Sequence, residues 1–314
     1  METRFFRIRI SSLVPERPTT FNLYVYINGR HILYLHAGDN LSSDKIQKLS
    51  SKGTDVFYVA DEERGAYKQY ITSYLDADTL DPNHKAQILR ESSFTLVEEI
   101  FEKEDVGQAL QESRETIHQF VSLMDQEPEA MTHLIGLSTH DFYTYNHSLD
   151  VAIYSLGLGK AIGLSDHELL DLGQGALFHD VGKRHVSVDI ICKKGPLSEI
   201  EWAQMRLHPT YGLQILNAYE QVSEGVKAAC FEHHEHFEGN GYPQGLSGSE
   251  IHLFGRIVAI ADCYDAMTTQ RSYNRPMRPT QALTIMRDKI ADKFDPELLK
   301  ALYSILFQLE KKAA

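Results

Sequence analysis

Seven residues in the second half of the chain are of the types that bind metal ions, and five separate segments carry them. They are His147 in "YTYNHSLDVAIYSLGLG", His179 and Asp180 in "GALFHDVGKRH", His208 in "RLHPTYG", His233 and His234 in "CFEHHEHFEGNGYP", and Asp262 in "RIVAIADCYDA". Each stands on, or at the end of, an apolar helical segment, where a polar group is costly unless it is paired or coordinated. Singly they decide little. His147 also reads as a helix-start residue, and His208 as a loop histidine before a proline. Asp262 ends an apolar run either as a ligand or as half of a salt bridge. Adjacent pairs say more. Neighbours on a helix point about 100° apart, so His233 and His234 can serve two neighbouring ions, and Asp180 beside His179 can bridge them. Taken together, the set matches two metal ions with water between them. Imidazoles with two carboxylates favour iron, manganese or zinc over calcium or magnesium.

The elements that hold these residues follow from periodicity. Residues 126–314 read as nearly all helix, interrupted at Pro128, Gly163, Gly182, "KKGP" at 193–196, Pro209 and "GNGYPQGLSG" at 239–248. Upstream, residues 61–125 are also helical. Val106, Leu110, Ser113, Ile117, Phe120 and Met124 recur at three- and four-residue spacing and form one apolar stripe. That stripe fits either packing within its own domain or a homodimer through this helix. The first sixty residues predict strands at "FRIRI", "FNLYVYI", "HILYLH" and "DVFYVA", with a hairpin turn at Asn28-Gly29. A helix is expected over "SSDKIQKLSSKG", with Ser42 or Ser43 as its cap and Gly53 as its stop. This α+β segment carries no constellation of chemical residues.

Composition bounds the function. A net charge of −13 argues against a nucleic-acid polymer as partner, since phosphates demand a positive face. A small anionic ligand remains compatible, because a metal reverses the field locally. Three cysteines without CxxC spacing predict neither a disulfide framework nor a thiolate zinc site. No apolar run reaches the ~18–20 residues of a membrane span, and the start has no secretory pattern. A cytoplasmic protein without a membrane partner is the expectation.

The ordered set "HDVGK", "LHPTYG", "HHEHFEGNGYPQGLSG" and "RIVAIADCYDAMTTQRSY" resembles the HD-GYP family, a branch of the HD-domain metal-dependent phosphohydrolases. The resemblance runs from about residue 138 to 305 and includes "FDPELL". It implies an all-α HD-type helical bundle over 126–314, behind a small α+β N-terminal regulatory domain over 1–75 and a helical linker over 76–125. It implies that His147, His179, Asp180, His208, His233, His234 and Asp262 bind two divalent ions, iron first, with manganese or zinc as alternatives. Lys183 of the HDxGK pattern would contact a substrate phosphate, and Arg271 a phosphate or guanine. Gly241, Tyr242 and Pro243 form the GYP loop. Its tyrosine either packs or lines the site and touches substrate. Glu235 is expected to orient a ligand imidazole.

The substrate so implied is cyclic di-GMP, cut to the linear dinucleotide or GMP by a two-metal mechanism. In it a shared water is activated towards hydroxide, with Asp180 and Lys183 as the catalytic pair. Four positions depart from the family pattern. Glu238 stands for an aspartate, Ser272 for a proline, and Asn274 for a lysine. Tyr143 occupies the place of a glutamate that serves a third metal, so two metals are expected. The departures support an alternative, a catalytically weak or inactive member that binds cyclic di-GMP or a signalling-protein partner.

Overall fold

The computed structural model describes residues 3–77, 80–103, 105–138, 146–269 and 276–313. The chain divides into two compact units, residues 1–96 with 123–134, and residues 97–122 with 135–314. A small α+β unit and a helical HD-type unit are the architecture expected from the sequence.

The first unit contains four antiparallel strands: β1 (Phe5–Arg9), β2 (Leu23–Ile27), β3 (Arg30–Leu35) and β4 (Val56–Ala60), in the order β1-β4-β2-β3. The β2–β3 hairpin closes at Ile27↔Arg30. Asn28 and Gly29 between them both have positive φ, 51° and 79°, the backbone that matches strand twist in a two-residue turn. Phe6, Ile8, Leu23, Phe57 and Val59 alternate onto one face of the sheet. They bury there with Tyr67, Tyr70 and Ile71 of α2 (Arg64–Leu75) and Ile88 of α3 (Pro82–Ser92). The expected first helix is α1 (Ser43–Ser50), and the Ser42 side chain accepts from the Lys45 amide as its cap.

α4 (Phe94–Glu102), α5 (Gly107–Gln126) and α6 (Pro128–Ser138) contribute residues to both units. The second unit continues through α7 (Asn146–Ala161), α8 (Asp166–Phe178), the short α9 (Val188–Ile191), α10 (Glu199–Met205), α11 (His208–Leu216), α12 (Glu224–Glu232), α13 (Leu253–Thr268), α14 (Pro279–Asp288) and α15 (Pro296–Ala313). α8 packs on α7 and α12, and α13 packs on the same two helices, so these four make the core. Residues 148–159 of α7 are buried on every side, mostly apolar but with Ser148, Asp150 and Ser155 among them. A Cβ on Gly175 of α8 would lie 2.6 Å from the Ala229 Cβ of α12. The absent side chain therefore lets the two helices that end in candidate ligands approach closely.

The structure sharpens three sequence expectations. The stripe on α5 is buried within the chain. The Gln174 amide of α8 donates to the Leu110 carbonyl and the Ser113 hydroxyl, both at 2.8 Å, so this helix packs on its own domain rather than on a second copy. The breaks expected at Pro128 and Pro209 are there, between α5 and α6 and between α10 and α11, but each proline opens the second helix rather than ending the first. The prolines stand in the first turns of α6 and α11, where a missing N–H costs nothing. The break expected at Gly182 is there too, since α8 ends at Phe178, but Gly182 itself lies within a 3-10 turn over Val181–His185. Its role is close approach: a Cβ there would lie 1.9 Å from the His208 carbonyl oxygen and 2.4 Å from the Gly212 nitrogen. Among the described residues no helix is long and apolar enough to cross a membrane.

Both atoms that a Gly182 Cβ would meet are backbone, so they cannot move aside cheaply. Gly182→Ala is expected to destabilise the fold by about 3 kcal/mol, the upper end of overpacking costs. A urea midpoint equal to that of the unsubstituted chain would contradict this.

Candidate metal centre

Helix ends carry the site. His179 caps α8, His233 caps α12, and His208 opens α11. Each of these three imidazoles places Nδ1 on the carbonyl three residues earlier: His179 on Ala176 at 2.7 Å, His208 on Met205 at 2.7 Å, and His233 on Cys230 at 2.8 Å. A carbonyl oxygen can only accept, so Nδ1 carries the proton and Nε2 presents a lone pair. The Nε2 atoms of His208 and His233 lie 3.3 Å apart. Burial holds His208 down at about 4 and His233 well below the usual imidazole range, so both are neutral near pH 7. Two lone pairs thus face each other in the interior, an arrangement that calls for a cation between them. The buried His179 Nε2 and Asp180 Oδ1 have no hydrogen-bond partner.

Asp180 lies at the centre of these groups. Its Oδ1 is 3.3 Å from His208 Nε2 and 3.9 Å from His233 Nε2. Its Oδ2 is 3.4 Å from His179 Nε2 and 3.8 Å from His147 Nε2. One carboxylate therefore offers each oxygen to a different group of imidazoles. Burial alone would raise the Asp180 pKa, but Lys183, His179 and His208 outweigh it and hold the carboxyl well below its usual range.

His147, the second residue of α7, completes the far side. Its Nε2 is 3.1 Å from Asp262 Oδ1, and its Nδ1 is 2.6 Å from Asp265 Oδ2. Burial would lower the His147 pKa, yet the bonds to Asp262 and Asp265 prevail and raise it to about 9. Asp262 is held well below the carboxylate range by the same imidazole, against its own burial. His234 is pushed down to about 3 by burial.

Three sets of donor atoms, each mutually within 4.8 Å, could hold a metal ion: His208 with His233 and His234, His147 with His179 and Asp262, and His179 with Asp180 and His233. All seven residues singled out in the sequence are thus brought together. The inward-facing Nε2 atoms of His179, His208 and His233, the two carboxylates and the orphaned buried atoms fit a divalent transition ion.

The neighbouring residues sort differently. The Lys183 ammonium rests on Asp180 Oδ2, and its side chain is 28% exposed. The Tyr242 ring stacks on His234, with centroids 4.7 Å apart and planes at 29°. This stacking makes Tyr242 a wall of the site, and burial with the Asp262 and Asp180 carboxylates pushes its phenol up. Glu235 does not orient an imidazole. Its carboxylate accepts from the amides of Gln244 (2.6 Å), Gly245 (3.1 Å) and Leu246 (3.0 Å), and so ties down the loop after the Gly-Tyr-Pro motif. Within that motif, a Cβ on Gly241 would lie 2.3 Å from the His236 nitrogen, so the loop folds tightly against the ligand-bearing segment. Arg271, Ser272, Asn274 and Tyr143 lie outside the described residues.

Sequence reasoning missed Asp265. It is fully buried, holds His147 through Nδ1, and accepts from the Thr269 hydroxyl at 2.8 Å. The signal available was the i, i+3 spacing from Asp262 in "ADCYDA", which sets both carboxylates on one helix face.

The family model described as HD domain matches residues 129–298. The chain belongs to the HD-domain family. Within that family it is an HD-GYP protein, with Gly241-Tyr242-Pro243 as its motif. A cyclic di-GMP phosphodiesterase of Pseudomonas aeruginosa is 32% identical over 218 residues, covering 69% of this chain and 52% of that protein. A 3'3'-cGAMP-specific phosphodiesterase of Vibrio cholerae is 38% identical over 164 residues, covering 52% of this chain and 35% of that one. A cyclic di-GMP phosphodiesterase of Thermotoga maritima is 31% identical over 167 residues, covering 52% of this chain and 45% of the relative. The HD-GYP chain thus spans about half or less of each of these relatives. An HDG"Y"P protein of Bdellovibrio bacteriovorus has the same fold, with a TM-score of 0.75 at 23% identity, covering 96% of this chain and 99% of that one.

Buried carboxylates that fix a ligand histidine typically contribute 10- to 100-fold to metal affinity. Asp265→Asn is therefore expected to weaken metal binding by roughly that factor, read by competition with a chromophoric chelator. Affinity equal to that of the unsubstituted chain would refute the role given to Asp265.

Proposed function

We propose that this HD-GYP chain is a metal-dependent phosphodiesterase that hydrolyses cyclic di-GMP to the linear dinucleotide or GMP. The observation that carries this reading is Asp180. It is a buried carboxylate with one oxygen towards His208 and His233 and the other towards His179 and His147. In this reading His147, His179, Asp180, His208, His233, His234 and Asp262 would hold two divalent ions. Iron is the first candidate, with manganese or zinc next, because all three accept imidazole and carboxylate donors. When bound, two such ions lower the pKa of a water and polarise the phosphoryl oxygen.

The chain's own residues do the rest. The imidazoles are fixed at Nδ1 before any ion arrives, so their lone pairs need no reorganisation. Asp265 holds the His147 ring in its one productive orientation. Lys183, beside Asp180 and part-exposed, places its ammonium where a phosphate oxygen would gather negative charge. Arg271 is assigned to phosphate or guanine from the sequence motif alone. The names of the relatives support hydrolysis and disfavour the inactive alternative, even with Glu238, Ser272 and Asn274 in place. In this account the unit of residues 1–96 with 123–134 is regulatory and the unit of residues 97–122 with 135–314 is the hydrolase, in a cytoplasmic protein; residues 76–125, expected as a linker, are divided between the two units.

The decisive test incubates metal-loaded full-length protein with cyclic di-GMP and separates products by chromatography. The linear dinucleotide or GMP is expected. Unchanged cyclic di-GMP with two equivalents of metal bound would overturn the assignment, and cleavage of 3'3'-cGAMP alone would replace the substrate. His179→Ala or Asp180→Ala should lose most bound metal together with activity, and two retained equivalents by elemental analysis would refute their ligand role. Lys183→Ala should keep the metal and weaken dinucleotide binding about 10- to 100-fold, the worth of a charge-assisted hydrogen bond. Equal affinity by calorimetry would count against a phosphate contact.

A further inference from the structure

One wall beside the metal centre carries two large side chains that the roles above leave unused. Trp202 and Arg206 stand four residues apart at the end of α10, on one helix face. The Arg206 guanidinium lies 5.5 Å from the centre of the Tyr242 ring and 6.0 Å from that of Trp202. Tyr242 in turn stacks on His234. The four side chains make a continuous ladder from a candidate metal ligand out to an indole that is 47% exposed.

Two features indicate that this ladder receives a ligand. The first is an available cation. Among the described residues, the Arg206 guanidinium makes no hydrogen bond or ion pair, whereas Arg114 and Arg256 each hold an aspartate and Lys183 holds Asp180. Arg206 stands two residues before His208, at the edge of the candidate metal centre. The second is a fixed platform. Ser198 and Glu201 close a capping box at the start of α10, and the Lys193 ammonium donates to Glu201 at 2.8 Å, so this short helix is anchored before anything binds. An exposed tryptophan on a fixed helix beside a polar site offers a flat π-face at little cost in conformational entropy.

We infer that Trp202 and Arg206 form the outer subsite of this centre, where Trp202 stacks a purine of the cyclic dinucleotide and Arg206 takes the phosphate that is not at the metals. The inference rests on the phosphodiesterase reading, and it follows from the ligand's form. A cyclic dinucleotide carries two phosphates and two bases. With one phosphate at Asp180, the remainder must lie on an adjoining wall, and the Tyr242–Arg206–Trp202 wall adjoins directly. Guanidinium geometry matches phosphate, and an aromatic platform accepts any base. The subsite therefore contributes affinity for dinucleotides without choosing guanine over adenine.

Trp202 is the single tryptophan of the chain, so its emission reports the subsite without background. Zinc-loaded full-length protein is titrated with cyclic di-GMP, with 3'3'-cGAMP and with inorganic phosphate. Both dinucleotides are expected to quench the emission in a saturable way, and inorganic phosphate is expected to leave it unchanged. Trp202→Ala should raise KM for cyclic di-GMP about 5- to 100-fold, the span of base–aromatic stacking, with a smaller effect on kcat. Trp202→Phe should recover most of the loss, and Arg206→Gln should raise KM and flatten its salt dependence. Binding or turnover of cyclic di-GMP with unchanged emission, and with the original KM in Trp202→Ala, would overturn this inference and leave the phosphodiesterase reading standing. Quenching by inorganic phosphate equal to that by the dinucleotides would also overturn it. A chain that neither binds nor cleaves any cyclic dinucleotide would overturn both.

Discussion

The constraint on which the second unit turns is the convergence of imidazole lone pairs around one buried carboxylate. His179, His208 and His233 each donate the Nδ1–H to a carbonyl of the preceding turn, and each thereby aims Nε2 inward. Like-polarity atoms do not gather in a protein interior without something positive among them. The Asp180 carboxylate makes the demand stronger, because it adds negative charge to the same place. The Lys183 ammonium and a proton on His147 meet part of it, since His147 is raised to about 9. His179 Nε2 and Asp180 Oδ1 remain without hydrogen-bond partners. Divalent ions would satisfy the rest of the set.

Much of the fold serves this convergence. The last turn of a helix leaves carbonyls without intrahelical partners, and histidines at the ends of α8 and α12 use them as fixed acceptors. Gly175 lets those two helices close on each other, and Gly182 lets α11 reach the turn that follows Asp180. Asp295 accepts from the amides of Glu297 and Leu298 and from Arg256, so the "FDPELL" segment fastens α15 to α13, the helix that carries Asp262 and Asp265. The Glu235 carboxylate gathers three amides of the loop behind Tyr242 and fixes one wall of the site.

The seven candidate ligands were legible because their residue types are unusual on apolar helices and their order along the chain is specific. The strands, the Asn28-Gly29 turn and the Ser42 cap were legible because each rests on local chemistry. What escaped the sequence depends on the partner across the gap. Asp265 looks like any polar residue on a helix until His147 is seen to need a hydrogen-bond acceptor. Glu235 sits beside two histidines in sequence, yet its side chain turns to the loop, because unpaired loop amides are the stronger demand at that spot. Gly182 reads as a helix breaker, whereas its reason is a carbonyl that belongs to a residue far along the chain. The α5 stripe has the same pattern whether its cover is α8 or a second copy, and only the packing distinguishes them.

The central claim is that this cluster is a two-ion site. Its most direct test is the metal content of the full-length protein isolated without oxygen, measured by elemental analysis against protein concentration. The account predicts two equivalents of transition metal per chain, with iron the leading element. One equivalent or none, after reconstitution with iron, manganese and zinc in turn, would contradict it.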